Sequence, residues 1–252
     1  MRVIYSHCAG LDVHKKTVVA CRRRFGPEGQ LELETRTFGT TTPELLQLVD
    51  WLLAWEITHV AMESTGEYWK PVHNLLEGVI EVFLVNAKHV HQVPGRKTDQ
   101  KDAEWLAELM QYGLLKPSFI PPQPQRELRD LTRYRTRLVQ DRSREVNRLQ
   151  KVLEDANIKL STVLTDVHGA TGIKIINDII DGKSNVDDLM KHIHGKVKAN
   201  REDIRKALEG RLTPHHRFML SIIKKSIEEK EAIIRELEQH IDQATAQYAV
   251  EI

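Results

Sequence analysis

Only two cysteines, Cys8 and Cys21, occur in 252 residues. Two are too few for a disulfide framework, so the expectation is a protein of a reducing cytoplasm rather than a cross-linked secreted one. No run of about 18 apolar residues occurs, which argues against a membrane-spanning helix. The basic-then-apolar-then-small pattern of a signal peptide is missing as well. Aromatic residues make up only 6% of the chain against 29% charged ones, a balance that suits a helix-rich, partly elongated molecule. An excess of one charge sign is also lacking, with 37 Lys and Arg against 36 Asp and Glu. The overall balance therefore does not point to a nucleic-acid partner, and any such partner must be met by a regional excess. The length allows one medium domain with an extension, or two small domains.

Two regions follow different patterns. Residues 1–120 alternate between extended and helical segments. Strands are expected over about 3–12, 17–24, 31–38, 58–62 and 80–85, from β-branched content and apolar alternation. Gly26-Pro27-Glu28-Gly29 reads as a hairpin turn. Helices are expected over 42–55, with Thr42 capping before Pro43, then over 67–77 and 99–112. Three meandering strands followed by helix, strand, helix, strand, helix is the order of a ribonuclease H-like α/β domain. Four prolines between Pro117 and Pro124 mark a linker. Beyond it, residues 121–252 read as an all-α region: a long helix from Arg126 to Leu153, short helices over 161–215, and a last helix with a heptad seam. That seam runs through Leu220, Ile223, Ile227, Ile234, Leu237, Ile241, Ala244 and Tyr248, and fits a coiled coil or an antiparallel helical hairpin, the alternative being a lone amphipathic helix on a globular core.

Four acids sit where a metal-dependent nucleic-acid enzyme would place them. Asp12 ends the first strand, Glu63 closes Val60-Ala61-Met62-Glu63, and Asp99 and Asp102 head a helix in Lys97-Thr98-Asp99-Gln100-Lys101-Asp102-Ala103. Hard divalent ions need several carboxylate oxygens converging on one point, and two-metal phosphoryl chemistry uses such a set. Acids from three segments converge only if a sheet gathers them. Each acid alone has an ordinary reading: Asp99 as an N-cap, Asp102 as a first-turn acid, Glu63 as a solvated strand end. Ser64 reads as a turn residue. His89 and His91 lack partners at zinc-ligand spacing. Lys15 and Lys16 are placed to meet a phosphate or to sit in a solvated turn.

The regional charge excess lies on the long helix. Arg126, Arg129, Arg133, Arg135, Arg137, Arg142, Arg144 and Arg148 stand against four acids, with no lysine before Lys151. Arginine suits bidentate phosphate contacts, and Tyr134 offers a stacking ring. The strip reads as a nucleic-acid surface for structured RNA or a duplex backbone, or as a helix laced with its own ion pairs.

Gly10-Leu11-Asp12-Val13-His14-Lys15, Met62-Glu63-Ser64-Thr65-Gly66-Glu67-Tyr68-Trp69 and Lys97-Thr98-Asp99-Gln100-Lys101-Asp102-Ala103 together resemble the DEDD transposases of bacterial insertion sequences. The resemblance implies a RuvC-like (Holliday-junction-resolvase-like) domain, then a coiled coil, then a domain with a catalytic serine. By motif, Asp12, Glu63, Asp99 and Asp102 would be the family's four acids, expected to bind magnesium, or manganese in its place. It further implies a structured bridge RNA as guide, donor and target DNA as substrates, and a homo-oligomer joined through the coiled coil in the bacterial cytoplasm or nucleoid. No serine here stands in the context of the serine domain, so the expectation is an N-terminal portion that lacks the attacking serine. The alternatives are an autonomous resolvase-like endonuclease and a non-catalytic module for RNA binding or dimerisation.

Overall fold

In the computed structural model the described residues are 2–63, 66–86, 99–193 and 197–246, the side chains of 99–101 excepted. The chain forms two compact units, Met1–Pro121 and Pro122–Ile252.

The first unit is built on β1 (His7–Val13), β2 (Thr17–Phe25), β3 (Leu31–Gly39), α1 (Thr42–Leu53), β4 (His59–Glu63), α2 (Trp69–Leu76), β5 (Glu81–Val85) and α3 (Asp99–Gln111). The strand order is β3-β2-β1-β4-β5. β1 pairs antiparallel with β2 and parallel with β4, while β3 is antiparallel to β2 and β5 parallel to β4. This α/β arrangement is ribonuclease H-like. β1 is central and buried on both faces, because alternate side chains enter different cores. Ala9, Leu11 and Val13 meet Leu45, Leu48 and Leu52 of α1 and Val72 and Leu76 of α2. On the other face, Cys8 packs with Leu106, Leu109 and Met110 of α3.

Gly10 sets how near α3 can come. A Cβ at this position would stand 2.2 Å from the Ala103 carbonyl oxygen and 2.4 Å from the Ala107 amide nitrogen. Both are backbone atoms that cannot swing aside, so helix and strand touch only because residue 10 has no side chain.

Two local details differ from the sequence reading. The first strand starts at His7 rather than near residue 3, because the Ile4 and Tyr5 amides donate to the Gln111 carbonyl at 2.9 and 3.2 Å. The residue capping α1 is Thr41, not Thr42: the Glu44 carboxylate turns back to accept from the Thr41 amide at 3.3 Å, so Thr42 is already helical.

The second unit consists of α4 (Gln123–Asp155), the short helices α5 (Leu160–Val163), α6 (Ala170–Ile180), α7 (Val186–Met190) and α8 (Arg201–Leu208), and α9 (Pro214–Ala246). Asn185 and Asn200 cap α7 and α8, each side-chain oxygen accepting from the amide two residues on. α4 and α9 run antiparallel, as the crossing pairs Arg135–Glu238, Arg142–Glu231 and Asp155–His216 require. Each has 33 residues and is about 50 Å long. Leu220, Ile223 and Ile227 of the heptad seam are buried in one core with Leu149 and Leu153 of α4 and residues of the short helices. Within the chain, then, the seam over residues 220–244 belongs to an antiparallel hairpin, while Tyr248 lies outside the described residues.

Candidate metal and nucleic-acid sites

Asp12 lies on the α3 face of the sheet, two residues past Gly10 and four past Cys8. Glu63 ends β4 on that same face, since Ala61 joins the α3-side core while Val60 and Met62 join the other. The parallel register Gly10↔Ala61, Leu11↔Met62 puts Glu63 beside Asp12 one step further. Neighbouring strands run about 4.8 Å apart, so two carboxylates at matched register can reach one cation.

α3 runs against β1. The Cys8 thiol donates to the Ala107 carbonyl at 3.5 Å, and Gly10 lies between Ala103 and Ala107. The start of α3, with Asp99 and Asp102, therefore lies at the end of the sheet where Asp12 and Glu63 emerge. Asp12, Glu63 and Asp102 are all half-buried; Asp99 begins the helix, and its side chain lies outside the described residues. Among the described residues no group of three or more His, Cys, Asp or Glu side chains is close enough to hold a metal. Topology thus brings four acids to one sheet end without closing the described ones around a point. The donor set still suits a hard divalent ion, being carboxylate oxygen from two adjacent strands and a helix start. Ser64, His89, His91, Lys97 and Thr98 lie outside the described residues.

Sequence reasoning missed His14. Its Nε2 is 2.9 Å from Asp12 Oδ2, with half of the His14 side chain exposed and the Asp12 side chain 16% exposed. The Nε2–H tautomer donates this bond and orients the carboxylate. The available signal was the Asp-x-His spacing at a strand end. Lys15 and Lys16 are exposed in the β1–β2 turn, which Thr40 braces by donating to the Lys15 carbonyl at 3.0 Å. Neither cysteine takes part in this chemistry: burial pushes the Cys8 thiol up to about 12 and Cys21 to about 11, so both stay protonated and inert.

The arginines of α4 fall into two groups. At about 100° per residue, Arg126, Arg129, Arg133, Arg137, Arg144, Arg148 and Lys151 share an arc of about 100°, opposite the buried Leu138, Leu149 and Leu153. Arg129, Arg133 and Arg137 are exposed. Arg144 and Arg148 are 69% and 63% exposed and, among the described residues, pair with Asp141 and Glu145 one turn away, contacts weak enough to yield to phosphate. Arg135 and Arg142 depart from the expected strip. They sit on the inner side and bind Glu238 and Glu231 of α9, with Arg142 also 3.4 Å from His168 Nδ1. They hold the hairpin together. Tyr134 is exposed beside the ridge.

No curated protein matches the chain. Several solved structures resemble part of it, two RuvC structures among them. One is RuvC of Thermus thermophilus, at 14% identity and TM-score 0.33, covering 44% of this chain and 99% of that one. The other is the same organism's RuvC in complex with a Holliday junction substrate, at 15% identity and TM-score 0.31, covering 44% of this chain. Likeness at this level bears on neither site nor substrate. No helix among the described residues is long and apolar enough to cross a membrane. Residues 9–158 match the DEDD family model of IS110 type, described as Transposase, a segment holding all four acids and all eight arginines; the match spans more than half of the chain, which therefore belongs to this transposase family.

Proposed function

We propose that the chain is the acid-bearing and nucleic-acid-binding part of an RNA-guided DNA transposase. The observation that carries this reading is the gathering of Asp12, Glu63 and the start of α3 at one end of the sheet in a member of a transposase family. Asp12, Glu63, Asp99 and Asp102 would hold magnesium, or manganese in its place. Bound there, such an ion supplies positive charge against the phosphate and the oxygen that attacks it. His14 orients the Asp12 carboxylate, and Lys15 and Lys16 attract the DNA backbone toward it. On this reading residues 1–120 form the acid domain. Residues 121–252 bind the structured guide RNA along the ridge Arg126, Arg129, Arg133, Arg137, Arg144 and Arg148, and the helical hairpin joins copies of the chain. The attacking serine belongs, as in the recombinases the motifs resemble, to a separate domain, and the reaction takes place in the bacterial cytoplasm on donor and target DNA.

The test is recombination in a complete reaction with serine domain, guide RNA, donor and target DNA. Asp12→Ala should lower the rate by roughly 100-fold or more, the scale on which preorganised catalytic charge acts, with the thermal midpoint unchanged. A fully active Asp12→Ala protein removes the acids from the mechanism. Metal-dependent cleavage of branched DNA by the 252-residue chain alone, lost in Asp12→Ala, would replace this reading with a self-sufficient resolvase-like nuclease.

A further inference from the structure

Tyr68 stands out at the acid end of the sheet. β4 ends at Glu63, and the chain returns at Gly66 to enter α2 at Trp69, with Tyr68 as the residue before the helix. Trp69 packs against the core beneath α1 and α2 and meets the His73 ring edge-on at 5.6 Å. Trp105, one turn into α3 beyond Asp102, packs against the core on the other face. Tyr68 is instead 46% exposed. Among the described residues it makes no hydrogen bond, ion pair or ring contact. Gly66 leaves one flank of the ring bare: it holds φ +57°, and a Cβ there would lie 4.0 Å from Tyr68 Cδ2. Among the described residues, neither core of this unit includes the ring.

Its surroundings point to a ligand. β1 lies between β2 and β4, so the β1–β2 turn and the end of β4, a few residues before Tyr68, flank Asp12 from opposite sides. One flank carries the exposed His14, Lys15 and Lys16, and the other carries the exposed ring. A nucleic-acid strand crossing this end of the sheet meets cations where its phosphates need them and a flat ring where a base can stack. Stacking on an aromatic ring tolerates any base but needs one released from its own helix.

We propose that Tyr68 is a positioning residue that stacks on an unpaired base of the DNA strand at the acid site, selecting single-stranded or forked DNA over intact duplex. This rests on the functional reading above only in taking the strand to be DNA.

The test uses the full chain and a forked duplex with 2-aminopurine at the first unpaired position. Wild type and Tyr68→Phe should quench the fluorophore on binding. Tyr68→Ala should abolish the quench and weaken binding to the fork by roughly 5- to 100-fold, leaving binding to intact duplex and to structured RNA unchanged. Equal quench and affinity in wild type and Tyr68→Ala would overturn the inference. So would an equal loss on fork, duplex and RNA, which marks a structural role, or wild-type binding without a quench. Asp12→Ala should keep the quench. An Asp12→Ala protein that recombines normally while the Tyr68 effect persists would sink the transposase reading and leave the stacking role standing.

Discussion

The two units hold their charged residues in different ways. In the first, carboxylates from β1, β4 and α3 reach one end of the sheet through strand register and through the close seat of α3 on Gly10. Residues 87 positions apart in the chain, such as Asp12 and Asp99, share that end only while the whole layer stays packed. In the second, the arginines lie on one face of one helix, and their alignment needs nothing beyond helical periodicity. The acid site is thus a property of tertiary packing, while the basic ridge is a property of local structure. Damage to the first should be cooperative, and damage to the second additive.

The largest effect is expected at Gly10. Gly10→Val forces a side chain into the α3 backbone and should cost roughly 3 kcal/mol or more of stability, at the upper end of overpacking costs. Chemical denaturation would show it, and an unchanged midpoint would mean that α3 does not sit on β1 as described. On the ridge, Arg133→Gln and Arg137→Gln should each weaken RNA or DNA binding evenly across sequences. Each should also lower the salt slope of log affinity by roughly 0.7 to 0.9 and leave stability alone, and the double variant should show the sum. Strong non-additivity would remove the contrast between the units.

Two smaller effects concern the frame that carries the ridge. Hydrogen bonds from Lys183 at 2.8 Å and His192 at 2.7 Å hold the Asp178 carboxyl below the usual carboxylate range. A lowered carboxylate pKa contributes stability that is complete above about pH 4, the ordinary Asp value, and is lost as pH falls through the lowered one. Asp178→Asn should therefore flatten that part of the acid unfolding limb and leave its shape near pH 7 unaltered. Smallest of all, Arg135→Gln removes a half-exposed bridge to Glu238 and should cost about 0 to 1 kcal/mol. Unlike Arg133→Gln, it should leave the salt slope unmoved. A salt-slope change as large as that of Arg133→Gln would return Arg135 to the binding face.

This split among the arginines shows what could be read in advance. Spacing along α4 located the helix, its buried stripe and its charge. It could not separate Arg135 and Arg142 from the rest, because their partners Glu238 and Glu231 are 103 and 89 residues away. The heptad seam of α9 was visible for a similar reason, while its occupant, the same chain's α4, depended on long-range pairing. In the first unit, alternation and turn residues marked the strands and their order. The end of the sheet to which the acids belong followed from strand direction. The Asp12–His14 contact did not, because it needs a specific side-chain rotamer. The sharp start of β1 at His7 also escaped, since Ile4 and Tyr5 bond to the end of a helix more than 100 residues on.

The most direct measurement is manganese binding, followed by calorimetry or by the electron-spin signal of the free ion, in the wild type, Asp12→Ala, Glu63→Ala and the double variant. If the sheet gathers the acids around one ion, each single change should weaken binding about tenfold or more, and the double change should do little further harm. Binding that is unaffected by either change, or losses that simply add, would contradict a shared site.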